Sequence, residues 1–394
     1  MLISILVPVF WRWYAFSMKT GEREKGVLIL PQTYPPDMGG VETHLADLTQ
    51  ALEYKPGWRA WIVAYKPIVT RVDSYLPKEV RGSVTIRRFW WIGGNLFRVL
   101  EPYPVLMALY IIPYFFVRLF FYMLPKMHTI DVIHVHGINM TVVGLLMGAL
   151  FRKRVVFQSH ALYTFQRGSL FARVVAFLLN RVDAKLALCT ASKQELVDIG
   201  VDAKTIEVYR YWIDLARFSP IERPANARFT AFFIGRLIGI KGEAIVIELA
   251  RRFPQVDFKI AGGGPNQRVV EVAAQELPNV KFLGLVPNAQ TRDHYRAADV
   301  VLVPSQYAEG FGRVICEALA CGTPVIATRA GGIPDAMDET VGVLCEMKLA
   351  CYAAALARMI QEPAWYASLK NATRAYAEHQ FSARNAEVIF SHYL

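Results

Sequence analysis

Cysteine is scarce in this sequence, and several familiar motifs are missing. The 394 residues include five cysteines, an odd number at irregular positions, which does not make the paired framework of a disulfide-stabilised protein. We therefore expect a reducing, cytosolic environment. The chain has no zinc-ligand spacing and no aromatic–basic repeat, so the common nucleic-acid-binding modules are excluded. No Gly-x-Gly-x-x-Gly follows the first apolar strand, which excludes a Rossmann dehydrogenase.

Apolar residues and positive charge are abundant instead. A chain of 394 residues with 54% hydrophobic and 20% charged residues is long enough for two domains. The net charge of +11 is uneven, because the part up to Leu215 has 25 basic and 16 acidic residues and the rest has 19 and 17. Seven of the eight tryptophans lie in that first part. Without a nucleic-acid motif, this basic, Trp-rich half predicts an anionic membrane surface as a partner.

The most informative stretch lies between Ala308 and Ala327. The apolar residues 300–303 predict a strand, and a glycine-rich turn follows it. A helix then continues to Gly322, and a second apolar strand begins at Pro324. The order strand, turn, helix and strand is typical of an α/β domain.

Two carboxylates and three backbone amides make this turn a candidate ligand site. Glu309 and Glu317 are eight positions apart, so we expect one on the turn and the other about two helical turns away, facing the same cleft. The amides of Gly310, Phe311 and Gly312 lie at a helix N-terminus, where the partial positive charge favours a phosphate. Such a site suits a sugar attached to a diphosphate.

The spacing E-G-F-G-x4-E-A-x-A-x-G-x-P-V-I resembles that of the retaining glycosyltransferases of family 4, which have the GT-B fold. The resemblance covers nearly the whole chain from about Val27, since further motifs follow in the family's order. It implies an α/β protein with two doubly wound, Rossmann-like parallel-sheet domains that face a cleft. The predicted segments are an apolar leader (1–25), an acceptor-side domain (26–216), a linker (217–228), a nucleotide-sugar-binding domain (229–375) and a C-terminal helix that crosses back to the first domain (376–394).

Histidines and glycines in the N-terminal half are further candidates. Gly39 and Gly40 open a G-G-x-E loop whose backbone, by the resemblance, closes over the donor diphosphate and sugar; a tight strand-to-helix connection would also use glycines. His160 ends a strand, where the resemblance implies a catalytic histidine that reaches the donor sugar. His134 and His136 point to one side of a strand, which suits a metal ion, but no third ligand is in view. The resemblance implies structural or acceptor-side roles for these two histidines.

The C-terminal half adds the charges expected of a diphosphate site. Arg236 and Lys241 lie five positions apart on a loop after a strand, so a planar guanidinium and a point charge can meet one diphosphate. The resemblance implies that the backbone around Val286 contacts the nucleobase, that Glu317 takes the ribose hydroxyls and that Glu309 acts catalytically by orienting the sugar. No Asp-x-Asp pair occurs, so we expect no divalent metal and no cofactor beyond the nucleotide-sugar co-substrate.

Two apolar segments bear on membrane association. Residues 1–16 are too short to span a bilayer, and they are either an interfacial anchor or a leader outside the fold. The segment from Val99 to Leu124 is long enough, but Arg118 would lie well inside the bilayer and the chain then returns to an α/β domain. We interpret this segment as a helix on the membrane surface, with its Tyr and Phe side chains at the interface. The alternative is an ordinary amphipathic helix packed on the sheet.

These features predict a metal-independent glycosyltransferase that moves a sugar from a nucleoside diphosphate to an acceptor with retention at the anomeric carbon. The expected acceptor is a glycan or a lipid-linked molecule, and the expected location is the cytoplasmic face of the membrane, peripherally bound. The resemblance implies a same-face reaction in which the donor phosphate helps to take the acceptor proton. Two alternatives stay open: a sugar-nucleotide epimerase with the same two-domain plan, which would release an epimer, and an inactive membrane scaffold, which would bind without turnover.

Overall fold

The structure is a computed structural model that describes residues 24–37, 39–67, 75–91, 96–100 and 102–394. The predicted apolar leader, residues 1–25, lies outside the described residues except for its last two positions. The chain divides into two compact units. The first runs up to Gln158 and includes Val174–Lys185 and His392–Leu394; the second consists of Ser159–Arg173 and Leu186–Ser391.

An eight-stranded sheet contains the strands of the N-terminal half, in the order β3-β4-β2-β1-β5-β6-β7-β8. The pairs from β4 to β6 are parallel, and only the pairing of β3 with β4 is antiparallel among the pairs between β3 and β6. Central strands such as β1 are buried on both faces, which explains their continuous apolar runs. The strands are β1 (Lys25–Leu30), β2 (Trp58–Tyr65), β3 (Lys78–Arg81), β4 (Val84–Phe89), β5 (Val132–His136), β6 (Arg154–Gln158), β7 (Ala184–Ala187) and β8 (Ile206–Val208).

The α-helices that accompany this sheet lie on the connections between its strands. Those in the described part of the N-terminal half are α1 (Gly40–Glu53), α2 (Phe97–Leu100), α3 (Pro104–Met123), α4 (Ile138–Phe151), α5 (Leu170–Leu179) and α6 (Thr190–Asp198). The connections from β4 to β5, from β5 to β6 and from β6 to β7 all advance in one direction across the sheet. Right-handed crossovers therefore put α3, α4 and α5 on one face of the sheet, and α1, on the reverse connection from β1 to β2, on the other.

Helix α3 contains most of the segment from Val99 to Leu124, for which two interpretations were given above. One face of α3 is buried, with apolar side chains four residues apart: Met107, Ile111, Phe115, Leu119 and Met123. The other side carries exposed Val105, Leu109, Val117 and Phe121. The helix therefore has a packed face, as expected of an ordinary amphipathic helix, and it also presents an apolar outer surface. Within the described residues, the stretch Val105–Thr129 is long and apolar enough, by length and composition, to cross a membrane.

A six-stranded, all-parallel sheet lies in the second unit, in the order β11-β10-β9-β12-β13-β14. Its strands are β9 (Thr230–Ile234), β10 (Asp257–Ala261), β11 (Val280–Gly284), β12 (Val300–Val303), β13 (Val325–Thr328) and β14 (Gly342–Cys345). Its helices are α7 (Glu243–Arg252), α8 (Gln267–Glu276), α9 (Asn288–Ala297), α10 (Arg313–Ala320), α11 (Ile333–Ala336), α12 (Leu349–Gln361), α13 (Pro363–Gln380) and α14 (Asn385–Ser391). The two sheets confirm the predicted fold class of two Rossmann-like α/β domains.

Candidate functional site

The loops at the carboxyl ends of β9, β10 and β12 pack backbone against backbone. A Cβ atom on Gly262 would lie 1.9 Å from the carbonyl oxygen of Gly235, and a Cβ on Gly242 would lie 2.0 Å from that of Pro304. Gly242 also has a φ of 84°, in the left-handed region that favours glycine. Only glycine allows these approaches, so the loops form a compact edge where α/β sheets bind ligands.

Lys241 and Glu309, 68 residues apart in the chain, form an ion pair at this edge. The Nζ to Oε1 distance is 2.9 Å, and the two side chains are 19% and 12% exposed. The Ser305 hydroxyl donates a second hydrogen bond to the same carboxylate oxygen. The backbone bond from Gln306 N to Ile240 O, at 2.7 Å, holds the two loops together. The pair is therefore built into the fold and is not a loose surface contact.

The electrostatics keep Lys241 protonated. Burial alone would lower the pKa of its ammonium group, but the Glu309 carboxylate and the neighbouring Tyr307 hold that pKa above its usual value. The Lys241 ammonium also lies 5.0 Å from the centre of the Tyr307 ring. The site thus contains a permanent, partly buried positive charge.

The glycine turn after Glu309 presents three backbone amides. Within the described residues, the N–H groups of Gly310, Phe311 and Gly312 donate no hydrogen bond. They precede α10, whose N-terminus adds partial positive charge. Gly312 has a φ of 86°, a conformation that explains the glycine. The arrangement leaves these amide donors available for an anion.

A second glycine loop fixes the position of this turn. The amide of Gly332 donates to the carbonyl of Glu309 at 2.7 Å. A Cβ on Gly331 would lie 2.3 Å from that carbonyl oxygen, and one on Gly332 would lie 1.9 Å from the carbonyl oxygen of Gly310. The turn is therefore clamped by backbone contacts that no larger residue allows.

Glu317 lies further along α10, with partners of its own. Its carboxylate accepts hydrogen bonds from the Tyr295 hydroxyl at 2.9 Å and from Arg313 Nε at 3.0 Å. Burial, together with this carboxylate, raises the pKa of the Tyr295 hydroxyl well above its ordinary value, so Tyr295 remains a donor. Glu309 and Glu317 are both largely buried, but their hydrogen-bond partners are different.

His160 lies beside the glycine turn. A Cβ on Gly310 would be 2.8 Å from the His160 carbonyl oxygen. The His160 Nδ1 atom is 3.3 Å from the hydroxyls of both Tyr209 and Tyr211, and the Tyr211 ring is 5.6 Å from that of Phe311. Burial lowers the pKa of the imidazole to about 3, so His160 is neutral at physiological pH. It can exchange hydrogen bonds but cannot supply a positive charge.

The remaining predicted residues lie at different places. The Arg236 side chain is exposed on the loop after β9, with no hydrogen bond or ion pair among the residues that the structure describes. Val286 is half-buried just after β11. Gly39 and Gly40 belong to the first unit, at the start of α1. A Cβ on Gly40 would meet nothing within 4 Å, so packing in the described structure does not require glycine there.

Some polar partners at the site were not identified from the sequence. Ser305 and Tyr295 hold the two carboxylates, and Tyr211 contacts His160. Arg313 could have been identified from the sequence, because it lies four residues before Glu317, the usual spacing of a helical ion pair. Among the described residues, no group of three or more His, Cys, Asp or Glu side chains is arranged to hold a metal ion.

Two family descriptions match consecutive parts of the chain: "Glycosyltransferase Family 4" over residues 38–217 and "Glycosyl transferases group 1" over residues 217–379. A component of the human phosphatidylinositol N-acetylglucosaminyltransferase is 24% identical over 339 residues, which cover 82% of this chain and 66% of that protein. The D-inositol 3-phosphate glycosyltransferase of Mycolicibacterium vanbaalenii is 31% identical over 248 residues, covering 54% of this chain and 55% of the relative. The chain thus spans between about half and two thirds of these two proteins.

Solved structures share the fold. Sucrose-phosphate synthase from Thermosynechococcus elongatus has a TM-score of 0.75 at 22% identity, over 94% of this chain and 98% of that one. Anabaena HepE in complex with UDP-glucose has a TM-score of 0.70 at 21% identity, over 93% and 99%. At these sequence identities, the two comparisons show a shared fold.

Proposed function

The chain belongs to family 4 of the glycosyltransferases and has the GT-B fold, and we propose that it transfers a glycosyl group from a nucleoside diphosphate sugar to an acceptor. The observation that carries this proposal is the Lys241–Glu309 pair beside the unbonded amides of residues 310–312. A fixed cation and free amide donors are what a leaving diphosphate requires.

The diphosphate is held, in this proposal, by protein groups without a metal ion. Lys241 supplies a point charge, Arg236 a planar guanidinium that is exposed and free to turn, and the amides of Gly310, Phe311 and Gly312 supply hydrogen bonds. A nucleoside diphosphate leaves with up to three negative charges, so two cations and a helix N-terminus neutralise most of that charge.

Donor binding would rearrange the ion pair. When phosphate oxygens approach Lys241, they compete with Glu309 for the ammonium protons, because phosphate and carboxylate oxygens are both strong acceptors of charge-assisted hydrogen bonds. Ser305 retains its hydrogen bond to Glu309 and keeps the carboxylate in place. Glu309 Oε2, which accepts neither the Lys241 nor the Ser305 hydrogen bond, is available for the hydroxyls of the donor sugar, which is the catalytic role that the family resemblance implies.

The other site residues have proposed roles that follow the same resemblance. Glu317, held by Tyr295 and Arg313, takes the ribose hydroxyls, and the backbone at Val286 contacts the base. Neutral His160 donates or accepts one hydrogen bond at the sugar. Gly39 and Gly40 remain proposed donor contacts on the resemblance alone.

We propose retention by a same-face reaction. The bond between the anomeric carbon and the phosphate oxygen breaks, the bond to the acceptor oxygen forms on the same face, and the acceptor proton passes to the departing phosphate. A double displacement would need a carboxylate free to attack the anomeric carbon. In this proposal Ser305 continues to hold Glu309 after the donor binds, which supports an orienting role over a nucleophilic one.

The proposed acceptor is a lipid-linked or cell-envelope glycan at the cytoplasmic face of a membrane. The named relatives act on phosphatidylinositol and on D-inositol 3-phosphate, both anionic polyols and one of them a lipid. The apolar outer side of α3 and the basic N-terminal half support contact with an anionic bilayer.

A donor panel tests the function. Purified protein is incubated with UDP-, GDP- and ADP-sugars and a lipid extract, and labelled sugar in the lipid fraction is measured with the anomeric configuration of the product. Transfer with retention in wild type, and its loss in Lys241→Ala but not in the surface variant Lys370→Ala, is expected. A free epimer of the donor sugar as the product, or nucleotide binding without any turnover, would contradict the proposal.

A further inference from the structure

Helices α3, α4 and α5 present apolar side chains to solvent on one face of the first sheet. Their exposed fractions are about half or more at the seven positions that define this outer face: Val105, Leu109, Val117, Phe121, Leu146, Leu150 and Phe177. α3 and α4 contact each other, with the Phe120 and Phe151 rings 5.8 Å apart. Soluble proteins seldom leave so much apolar surface exposed unless it meets a partner.

A groove of about 460 Å³ opens between α4 and the C-terminal half of α5. Its lining is mostly aliphatic, with Val142, Leu145, Leu146 and Ala149 on one side and Leu178 on the other. A Cβ atom on Gly148, which also lines the groove, would lie 2.5 Å from Val155 Cγ2, so glycine lets α4 sit close to β6. The volume lies within the range of small-molecule sites.

The rim of this groove is positively charged. Lys153 and Arg181 line it, and the carboxylate of Asp183, which also lines it, is hydrogen-bonded by the amide of Val155 at 2.7 Å. Between residues 102 and 182 the sequence has eight basic residues and one acidic residue, Asp131. The Asp131 carboxylate accepts from the amide of Gly26 at 2.8 Å. An apolar groove with a cationic rim is complementary to a lipid that has an anionic head group.

We propose that the groove binds one acyl chain of an anionic phospholipid from the bilayer, a site that rests on the proposed membrane association. Lys153 and Arg181 meet the phosphate, the chain lies against Leu145, Leu146 and Leu178, and the outer face enters the interfacial region of the bilayer. The lipid anchors the enzyme and is not the acceptor.

Chain length provides the first test. Full-length protein is titrated calorimetrically with dibutanoyl and dihexanoyl phosphatidylglycerol, both below their micelle concentrations, and with glycerophosphate. Each methylene buried in the groove should raise affinity about fourfold, so the longer lipid should bind about sixteenfold more tightly if one chain is buried. Equal affinities for the two lipids, or glycerophosphate binding as tightly as the longer lipid, would overturn the proposal.

Variants provide the second test. Ala149→Trp fills the groove at an exposed position and should lower affinity for dihexanoyl phosphatidylglycerol at least tenfold. Leu146→Asp, which places a carboxylate in the groove, should do the same. The control Val269→Trp, at a 55% exposed apolar position on α8, should bind as wild type does. Wild-type affinity in both groove variants would overturn the proposal, and thermal unfolding checks that each variant is folded.

The charged rim and the glycosyl-transfer function are tested separately. The double variant Lys153→Gln/Arg181→Gln should lose the binding preference for phosphatidylglycerol over phosphatidylcholine. An unchanged preference would contradict the assignment of the rim to the lipid head group. Lys241→Ala should bind lipid as wild type does while losing transfer. Lipid binding without any sugar transfer would refute the proposed function alone, and transfer to a soluble acceptor without lipid binding would refute the groove alone.

Discussion

Replacing Lys241 by alanine removes the ammonium group that the structure fixes beside the glycine turn. In the free protein the change leaves Glu309, 12% exposed, with Ser305 as its remaining partner. An unpaired, partly buried carboxylate costs about 1–3 kcal/mol. We therefore expect Lys241→Ala to unfold at a slightly lower temperature while remaining folded at 25 °C.

The effect on transfer should be larger. A preorganised donor aimed at charge that develops in the transition state contributes about 2.7–4 kcal/mol, so its removal should lower kcat/KM about 10²- to 10³-fold. The assay is initial-rate transfer from the preferred nucleotide sugar at subsaturating donor, with circular dichroism to check folding. Lys370→Ala, an exposed lysine in the same unit, serves as the matched control and should keep wild-type kinetics.

A double variant separates stability from catalysis. Lys241→Ala with Glu309→Gln removes the uncompensated charge, so the free energy of unfolding should recover towards that of Glu309→Gln alone. Transfer should not recover, because the diphosphate still lacks its ammonium partner. If Lys241→Ala kept kcat/KM within threefold of wild type, or if the double variant restored transfer, the assignment of Lys241 to the leaving group would be refuted.

Three further expectations concern the neighbouring groups. Gly332→Ala would put a Cβ 1.9 Å from the Gly310 carbonyl oxygen, so the turn must move and kcat/KM should fall at least tenfold; unchanged kinetics would contradict the clamp. Tyr295→Phe removes the 2.9 Å hydrogen bond to Glu317 and should lower the free energy of unfolding in urea by about 1–3 kcal/mol, whereas an unchanged midpoint would contradict the role of this bond. Because the folded pKa of His160, about 3, lies below its unfolded value near 6.5, the unfolded chain binds the extra proton. Stability due to the neutral imidazole is then fully present above pH 6.5 and is lost as the pH falls towards 3. His160→Gln should therefore flatten the pH dependence of the free energy of unfolding between pH 7 and pH 5. An unaltered slope would contradict this expectation.

The regular elements were predictable where burial dictates the residue type. The runs in β1 and β12 are apolar without a break because both faces of a central parallel strand are covered. The antiparallel pair β3–β4 was not predicted from the sequence. β3 reads Lys-Glu-Val-Arg, a polar edge strand with little hydrophobic signal. The one local sequence feature that indicates a hairpin here is the two-residue Gly82-Ser83 connection between the strands.

The site was predictable as a set of residues but not as a set of contacts. The sequence places Glu309 and the glycines on one turn because they are consecutive. The partnership of Glu309 with Lys241 joins positions 68 residues apart, and it depends on two adjacent strands ending at the same edge of the sheet. The contact of His160 with Tyr211 likewise depends on tertiary structure. Predictions of domain limits and of residue roles stay predictions.

Calorimetric titration with UDP, GDP and ADP in buffer that contains EDTA tests the central claim most directly. If Lys241, Arg236 and the amides of residues 310–312 hold the diphosphate, at least one nucleotide should bind without a divalent cation, and its affinity should fall about 10- to 100-fold in Lys241→Ala. Binding that requires added Mg²⁺, or equal affinity in wild type and Lys241→Ala, would contradict the account.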